Sequence, residues 1–185
     1  MKIVAITGMP GAGKSTVAQA LQALNMRHIA MGDMIRLETK RRGLPTDDRN
    51  MGAVMRELRE RFGAGAVAEL TIRELRKSDG RTVVVDGIRS VAEVEAFKRE
   101  GNVKLLAVVA SPKRRYELLL ERGRSDDPLD VAGFNKRDER ELSIGIGSAI
   151  AMADEVVSNE HSSVEQLAKA AVEVVRKWLS DGGSN

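Results

Sequence analysis

The stretch Ile3-Val4-Ala5-Ile6-Thr7-Gly8-Met9-Pro10-Gly11-Ala12-Gly13-Lys14-Ser15-Thr16 decides how this chain is read. Residues 3–6 are an unbroken apolar run, the pattern of a strand buried on both faces of a sheet. Residues 8–15 then fit the spacing G-x-x-x-x-G-K-[ST], and residues 17–24 open a helix. Each part has a physical task. The glycines let the backbone wrap closely around a phosphate, so that successive N–H groups point inward, and the following helix adds its positive end. Lys14 is placed to bridge the β- and γ-phosphates, and the Ser15 hydroxyl to ligate Mg²⁺. A plain Gly/Pro-rich turn would leave Lys14 and Ser15 in register for no reason. The sequence therefore predicts a nucleoside triphosphate–Mg²⁺ site formed by Gly8, Met9, Pro10, Gly11, Ala12, Gly13, Lys14, Ser15 and Thr16.

Outward from that loop the chain alternates strands and helices. Apolar runs at 82–85 and 105–109, with shorter runs at 27–30 and 155–157, predict four more strands. No strand pattern falls between about 33 and 77. There Gly43-Leu44-Pro45 stops one helix, Thr46 is placed to cap the next, and Met51, Val54, Met55 and Leu58 keep helical spacing. Ser90 with Glu93 spells a capping box, residues 134–152 read as one helix, and Ser162 or Ser163 caps the last, which runs through Leu179. The expected architecture is an α/β P-loop NTPase fold of three layers, α/β/α. It has a five-stranded parallel sheet, a helical acceptor-binding insertion at 33–77 and a short lid at 122–137. Residues 1–180 read as a single domain and 181–185 as a disordered tail.

Composition sets limits on the rest. Thirty basic residues face 27 acidic ones, for a net charge of +3, too balanced to argue for nucleic acid as a partner. Twenty of the basic residues are arginine, which suits phosphate handling. With no cysteine, no membrane-length apolar run and a first strand beginning at the N-terminus, a cytoplasmic protein without a membrane partner is expected. His28 and His161 stand alone, and the methionines near 26–55 read as core filling.

Several segments carry a resemblance. The loop, Gly32-Asp33-Met34-Ile35-Arg36, Asp86-Gly87-Ile88-Arg89, and Arg122-Gly123-Arg124-Ser125-Asp126-Asp127 look like the adenylate kinase group of nucleoside monophosphate kinases. Ala153-Asp154-Glu155-Val156-Val157-Ser158-Asn159 is similar to a segment shared with dephospho-coenzyme A kinases. As a whole, residues 1–179 resemble a mostly archaeal family of P-loop kinase-like proteins related to both groups.

The resemblance implies that Arg36 and Arg89 hold the acceptor phosphate, and that Asp33 and Asp86 organise Mg²⁺ together with Ser15. It also implies that Lys14, Arg122, Arg124 and Arg137 act on the transferring phosphoryl group. ATP and a small, nucleotide-like phosphorylated acceptor are the implied partners. Two departures stand out: a single residue separates Arg122 from Arg124, so the lid is short, and Leu118 stands where an adenine-covering arginine is expected. Arg114, Arg115, Arg140 and Arg176 match no motif and read as surface charges. Asn135-Lys136-Arg137-Asp138 spells N-K-x-D, a guanine-reading motif in GTP switch proteins. Here it follows no buried strand and reads as lid.

Three functions stay open on the sequence. They are a nucleoside monophosphate kinase, transfer to a ribose hydroxyl as in dephospho-coenzyme A kinases with Asp33 as base, and an ATP-gated binding protein with slow hydrolysis.

Overall fold

Along β1 (Lys2–Thr7), Ile3 and Ala5 enter the core on one side of the sheet while Val4 and Ile6 enter the core on the other. That two-sided burial is why the strand is apolar throughout. The computed structural model describes residues 1–77, 82–123, 127–128 and 130–181. Arg124, and with it the 124–126 part of the lid, lies outside the described residues, as do 78–81, 129 and the 182–185 part of the expected tail.

The elements follow in the order α1 (Lys14–Gln22), β2 (Arg27–Ala30), α2 (Met31–Arg41), α3 (Asp48–Phe62), α4 (Ala66–Leu75) and β3 (Thr82–Ile88). After these come α5 (Val91–Lys98), β4 (Asn102–Val109), α6 (Pro112–Arg122), α7 (Val131–Ile144), α8 (Ile146–Ala151), β5 (Glu155–Ser158) and α9 (Val164–Asp181). All five strands pair in parallel in the order β2-β3-β1-β4-β5. The expected α/β/α fold is therefore present. One face of the sheet carries α1 and α9, through Val17, Leu21, Leu167 and Val175. The other carries α2–α5 and α8, through Ile35, Val54, Ile72, Phe97 and Ala149.

The three helices α2, α3 and α4 lie between β2 and β3, where the sequence placed a helical insertion. Local differences have local causes. The N-cap of α3 is Asp47, which accepts from the Asn50 N–H at 2.8 Å, in place of the expected Thr46; either residue type can cap, and the carboxylate lies one residue nearer the first turn. β3 continues past Val85 because Asp86-Gly87 is a bulge within the strand and not a turn. The register slips there, Ile6 opposite Asp86 and Thr7 opposite Ile88, and Thr7 Oγ1 pins the slip by donating to the Ile88 carbonyl at 2.9 Å. The single helix expected over 134–152 is two, broken at Gly145, whose φ of +107° belongs to the left-handed region that ends a helix. Ser163 does cap α9: its Oγ accepts from Gln166 N, and Gln166 Oε1 accepts from Ser163 N.

Candidate active site

β1, β3, β4 and β5 all end at one edge of the sheet, and the segments leaving that edge build the site. The loop after β1 fits its space only because of glycine. Gly8 has φ +144°, and a Cβ there would fall 2.2 Å from the Val108 carbonyl oxygen on β4. The helix α1 that follows has no side-chain cap and no acidic residue in its first turn, so its N-terminal N–H groups and positive dipole are left for an anion.

Two buttresses hold the loop from outside its own sequence. Asn159, just past β5, donates through Nδ2 to the Ala12 carbonyl at 3.1 Å. Arg115 on α6, 3% exposed, donates to the Pro10 carbonyl at 3.1 Å and forms a two-pronged pair with Asp138 on α7. The Arg115 guanidinium also lies 5.0 Å from the centre of the Phe134 ring, which meets Tyr116 edge-on. Loop, α6 and α7 are thus fastened together.

Above the loop is a cavity of about 590 Å³. Its walls include Gly8, Pro10, Gly11, Gly13, Lys14, Ser15 and Thr16 from the loop, Arg89 from just past β3, Arg122 from the end of α6 and Arg137 from α7. The sequence-predicted loop and three of its predicted arginines therefore meet at one place. Lys14 Nζ donates to the Gly8 and Met9 carbonyls at 2.8 and 3.1 Å. Burial lowers the Lys14 ammonium from its ordinary 10.5 to about 8, against the raising pull of Asp86. The consequence is testable. As pH rises through about 8, the free protein loses the Lys14 charge, and ATP affinity should fall. Fluorescent-ATP titrations from about pH 7 to about pH 9.5 at constant ionic strength would show it. A flat profile would mean that the phosphates do not meet Lys14.

Arg89 pairs through Nε with Glu141 on α7 at 2.9 Å, and its backbone N–H donates to Glu93 Oε2 at 2.7 Å. Glu93, wholly buried, also takes Arg59 of α3 at 2.7 Å. The Ser90–Glu93 box thereby fixes α5 and the backbone of Arg89 as well as capping a helix. Arg122 binds Asp127, and Arg137 approaches the same carboxylate at 3.4 Å. Arg140, farther along α7, makes a two-pronged pair with Asp48 at the start of α3, both contacts at 2.8 Å. The lid helix is therefore already drawn toward the insertion, and Arg137 is 14% exposed in its side chain.

Asp86 is buried beside Lys14. Burial raises its pKa against the lowering influence of Lys14, His28 and Arg89, and its Oδ1 has no hydrogen-bond partner. An orphaned buried carboxylate oxygen next to the loop fits a divalent cation and its water shell. Asp33 lies close enough to act on Asp86 by charge, is 59% exposed in its side chain, and is paired with Arg36. Neither Arg36 nor Asp33 lines the cavity. Among the described residues no cluster of three or more His, Cys, Asp or Glu could hold a metal by protein ligands alone, a demand Mg²⁺ does not make.

Residues expected to be surface charges or departures from the pattern, and one that no motif marks, are as informative. Arg115 and Arg140 are interior clamps and not surface charges, and Arg114 lines the cavity. Arg176 is exposed on α9 as expected. Glu141, 2% exposed, is a carboxylate in the cavity wall that no motif announced. Leu118 lines the cavity, as do Val164 and Leu167, so an aliphatic side chain stands where an arginine was expected. N-K-x-D sits on α7, with Asp138 spent on Arg115.

A glycine-rich loop leaving the central first strand of this parallel sheet, with arginines over it, defines a P-loop kinase-like fold. The AAA domain family matches residues 7–132. The chain belongs to the UPF0200 family. It is 43% identical to a UPF0200 protein of Sulfurisphaera tokodaii over 97% of this chain and 98% of that one. It is also 43% identical to one from Methanocaldococcus jannaschii over 88% and 83%. Among solved structures it resembles a shikimate kinase from Acinetobacter baumannii, determined in complex with shikimate. There the TM-score is 0.59 at 15% identity, covering 95% of this chain and 93% of that one. At that identity the likeness is one of fold. Among the described residues no helix is long and apolar enough to cross a membrane.

Proposed function

We propose that this protein is an ATP–Mg²⁺-dependent phosphotransferase acting on a small phosphorylated acceptor, a nucleoside monophosphate kinase in type. One observation carries the reading: Lys14, Arg89, Arg122 and Arg137 all face the single cavity over the phosphate loop. Phosphoryl transfer asks a protein for alignment, charge neutralisation and exclusion of water more than for covalent chemistry.

In this reading the loop N–H groups and Lys14 hold the β- and γ-phosphates. Arg89 orients the acceptor from the end of β3, with Glu141 fixing its guanidinium. Arg36 reaches the acceptor from α2 by exchanging Asp33 for the acceptor's phosphate. An acceptor oxygen then bonds to the γ-phosphorus as the bond to the β–γ bridging oxygen breaks. Ser15, with Asp86 and Asp33 acting through water, would hold Mg²⁺, which when bound neutralises charge on the β- and γ-phosphates.

A phosphate acceptor is already a nucleophile and needs no base. Arg36→Ala and Arg89→Ala should therefore each raise KM for a nucleoside monophosphate sharply. Removing a charge-assisted contact costs about 1.5–3 kcal/mol, or roughly 10–150-fold. Asp33→Asn should be rescued in part by excess Mg²⁺. Steady-state kinetics over a panel of monophosphates, with a no-acceptor control, reads all three.

A second reading has its own observation: Glu141 puts a buried carboxylate in the cavity wall, where a hydroxyl acceptor would need one. Transfer to a ribose hydroxyl, as in dephospho-coenzyme A kinases, would show as phosphorylation of dephospho-coenzyme A with monophosphates inert. Asp33→Asn or Glu141→Gln would then be dead at every Mg²⁺ concentration.

A further inference from the structure

A second cleft, of about 440 Å³, opens between α3 of the helical insertion and the lid helix α7. Among the described residues its walls hold Arg49 and Arg56 from α3, Lys136, Arg137 and Arg140 from α7, and the carboxylates of Asp48 and Asp127. Five cations thus face two anions, and both anions are spoken for. Asp48 is gripped on both oxygens by Arg140, whose hydrogen bonds also hold its pKa below the ordinary carboxylate value. Asp127 is held by Arg122 and Arg137. Arg49, Arg56 and Lys136 make no ion pair among the described residues, in a protein where most other arginines do. Three like charges around one concavity repel each other unless an anion joins them.

The space itself is made by glycine. Arg49, Gly52 and Arg56 recur at positions i, i+3 and i+7, so they form one stripe on α3. Gly52 stands in mid-helix, where glycine is unfavourable, and it is buried. A Cβ placed there would lie 3.5 Å from Arg140 Nη1, so any longer side chain would fill the cleft and press on the Arg140–Asp48 clamp. The cleft also adjoins the donor side, with Arg137 lining both cavities.

We propose that the acceptor carries a second, non-transferring phosphate-like group, which Arg49, Arg56 and Lys136 bind in this cleft while the accepting group meets Arg137 and Arg89 over the loop. The assignment rests on the phosphotransferase reading for the accepting end, but the anion subsite is measurable by binding alone.

The test uses the full chain saturated with Mg²⁺ and a non-hydrolysable ATP analogue, so that the loop is occupied. AMP and CMP are titrated calorimetrically against their 3′-phosphorylated forms, adenosine 3′,5′-bisphosphate and cytidine 3′,5′-bisphosphate, so that each base is its own control. At least one bisphosphate should bind about tenfold or more tighter than its monophosphate, and the advantage should shrink with added salt, because the cations are exposed. The triple variant Arg49→Gln/Arg56→Gln/Lys136→Gln should abolish the advantage and leave the monophosphate and ATP-analogue affinities unchanged, the latter also showing that the variant is folded. Equal binding of mono- and bisphosphate, no binding of any of the four, or an advantage that survives the triple variant would overturn the proposal. A bisphosphate that binds with the expected dependence but accepts no phosphate would uphold the subsite while sinking the phosphotransferase reading.

Discussion

Lys14→Ala should abolish phosphoryl transfer while leaving the protein folded. Lys14 opens α1 from a loop and belongs to neither hydrophobic core cluster, and its ammonium donates to the Gly8 and Met9 carbonyls. Those two carbonyls can turn to water. In binding, a charge-assisted contact to phosphate is worth about 1.5–3 kcal/mol, so ATP affinity should fall by roughly one to two orders of magnitude. In the transition state the loss is larger, because a preorganised cation acts on charge that develops there; single groups of this kind are worth about 10²–10³ in rate. Burial already lowers the Lys14 pKa to about 8, which marks a charge held in a poorly solvated place where its field is strong. The thermal midpoint of the variant should equal or exceed that of the parent, since a charge disfavoured by burial has been removed. Full turnover in the purified variant would take the donor site away from this loop.

The loop was legible in the sequence because everything that defines it is local. Its glycines, Lys14 and Ser15 lie within eight residues, and the flanking strand and helix have unmistakable periods. The parallel sheet was legible for a related reason, since strands buried on both faces are apolar at every position, and residues 3–6, 83–85 and 105–109 are.

What could not be read was held by contacts across long stretches of chain. Arg115 finds the Pro10 carbonyl 105 residues away and Asp138 23 residues away; Arg140 finds Asp48 at a separation of 92. On their own helices these arginines have the spacing of solvated charges, and nothing nearby distinguishes them. The same holds for Glu141, one more glutamate on a charged helix until its neighbours place it in the cavity wall. Where local rules competed, sterics decided. Asp86-Gly87 satisfies a turn as well as a strand bulge, and only pairing with β1 on one side and β2 on the other selects the bulge.

The lid arginines give the second large effect, and the structure ranks them. Arg115–Asp138 and Arg140–Asp48 brace α7 on either side of Arg137, which lines both the donor cavity and the α3–α7 cleft, whereas Arg122 is the more exposed of the two, at 30% against 14% of its side chain. In the phosphotransferase reading, Arg137 then stands beside the group being transferred over the loop and borders the cleft proposed for the acceptor's non-transferring end. Arg122 lines the donor cavity alone. Arginines serving this role are worth about 10³–10⁵ in rate. Arg137→Ala should therefore lower kcat by about that factor with little change in ATP affinity, and Arg122→Ala should cost less. Asp127 keeps Arg122 in the first variant, so no buried carboxylate is stranded. Arg137→Lys should recover only part of the rate, because an ammonium keeps the charge and loses the two-pronged geometry. Single-turnover kinetics alongside equilibrium ATP binding separates the outcomes. A normal kcat with weakened ATP binding would make Arg137 an anchor for the ground-state phosphates. The braced lid helix would then serve to close the site and not to stabilise the charge that forms during transfer.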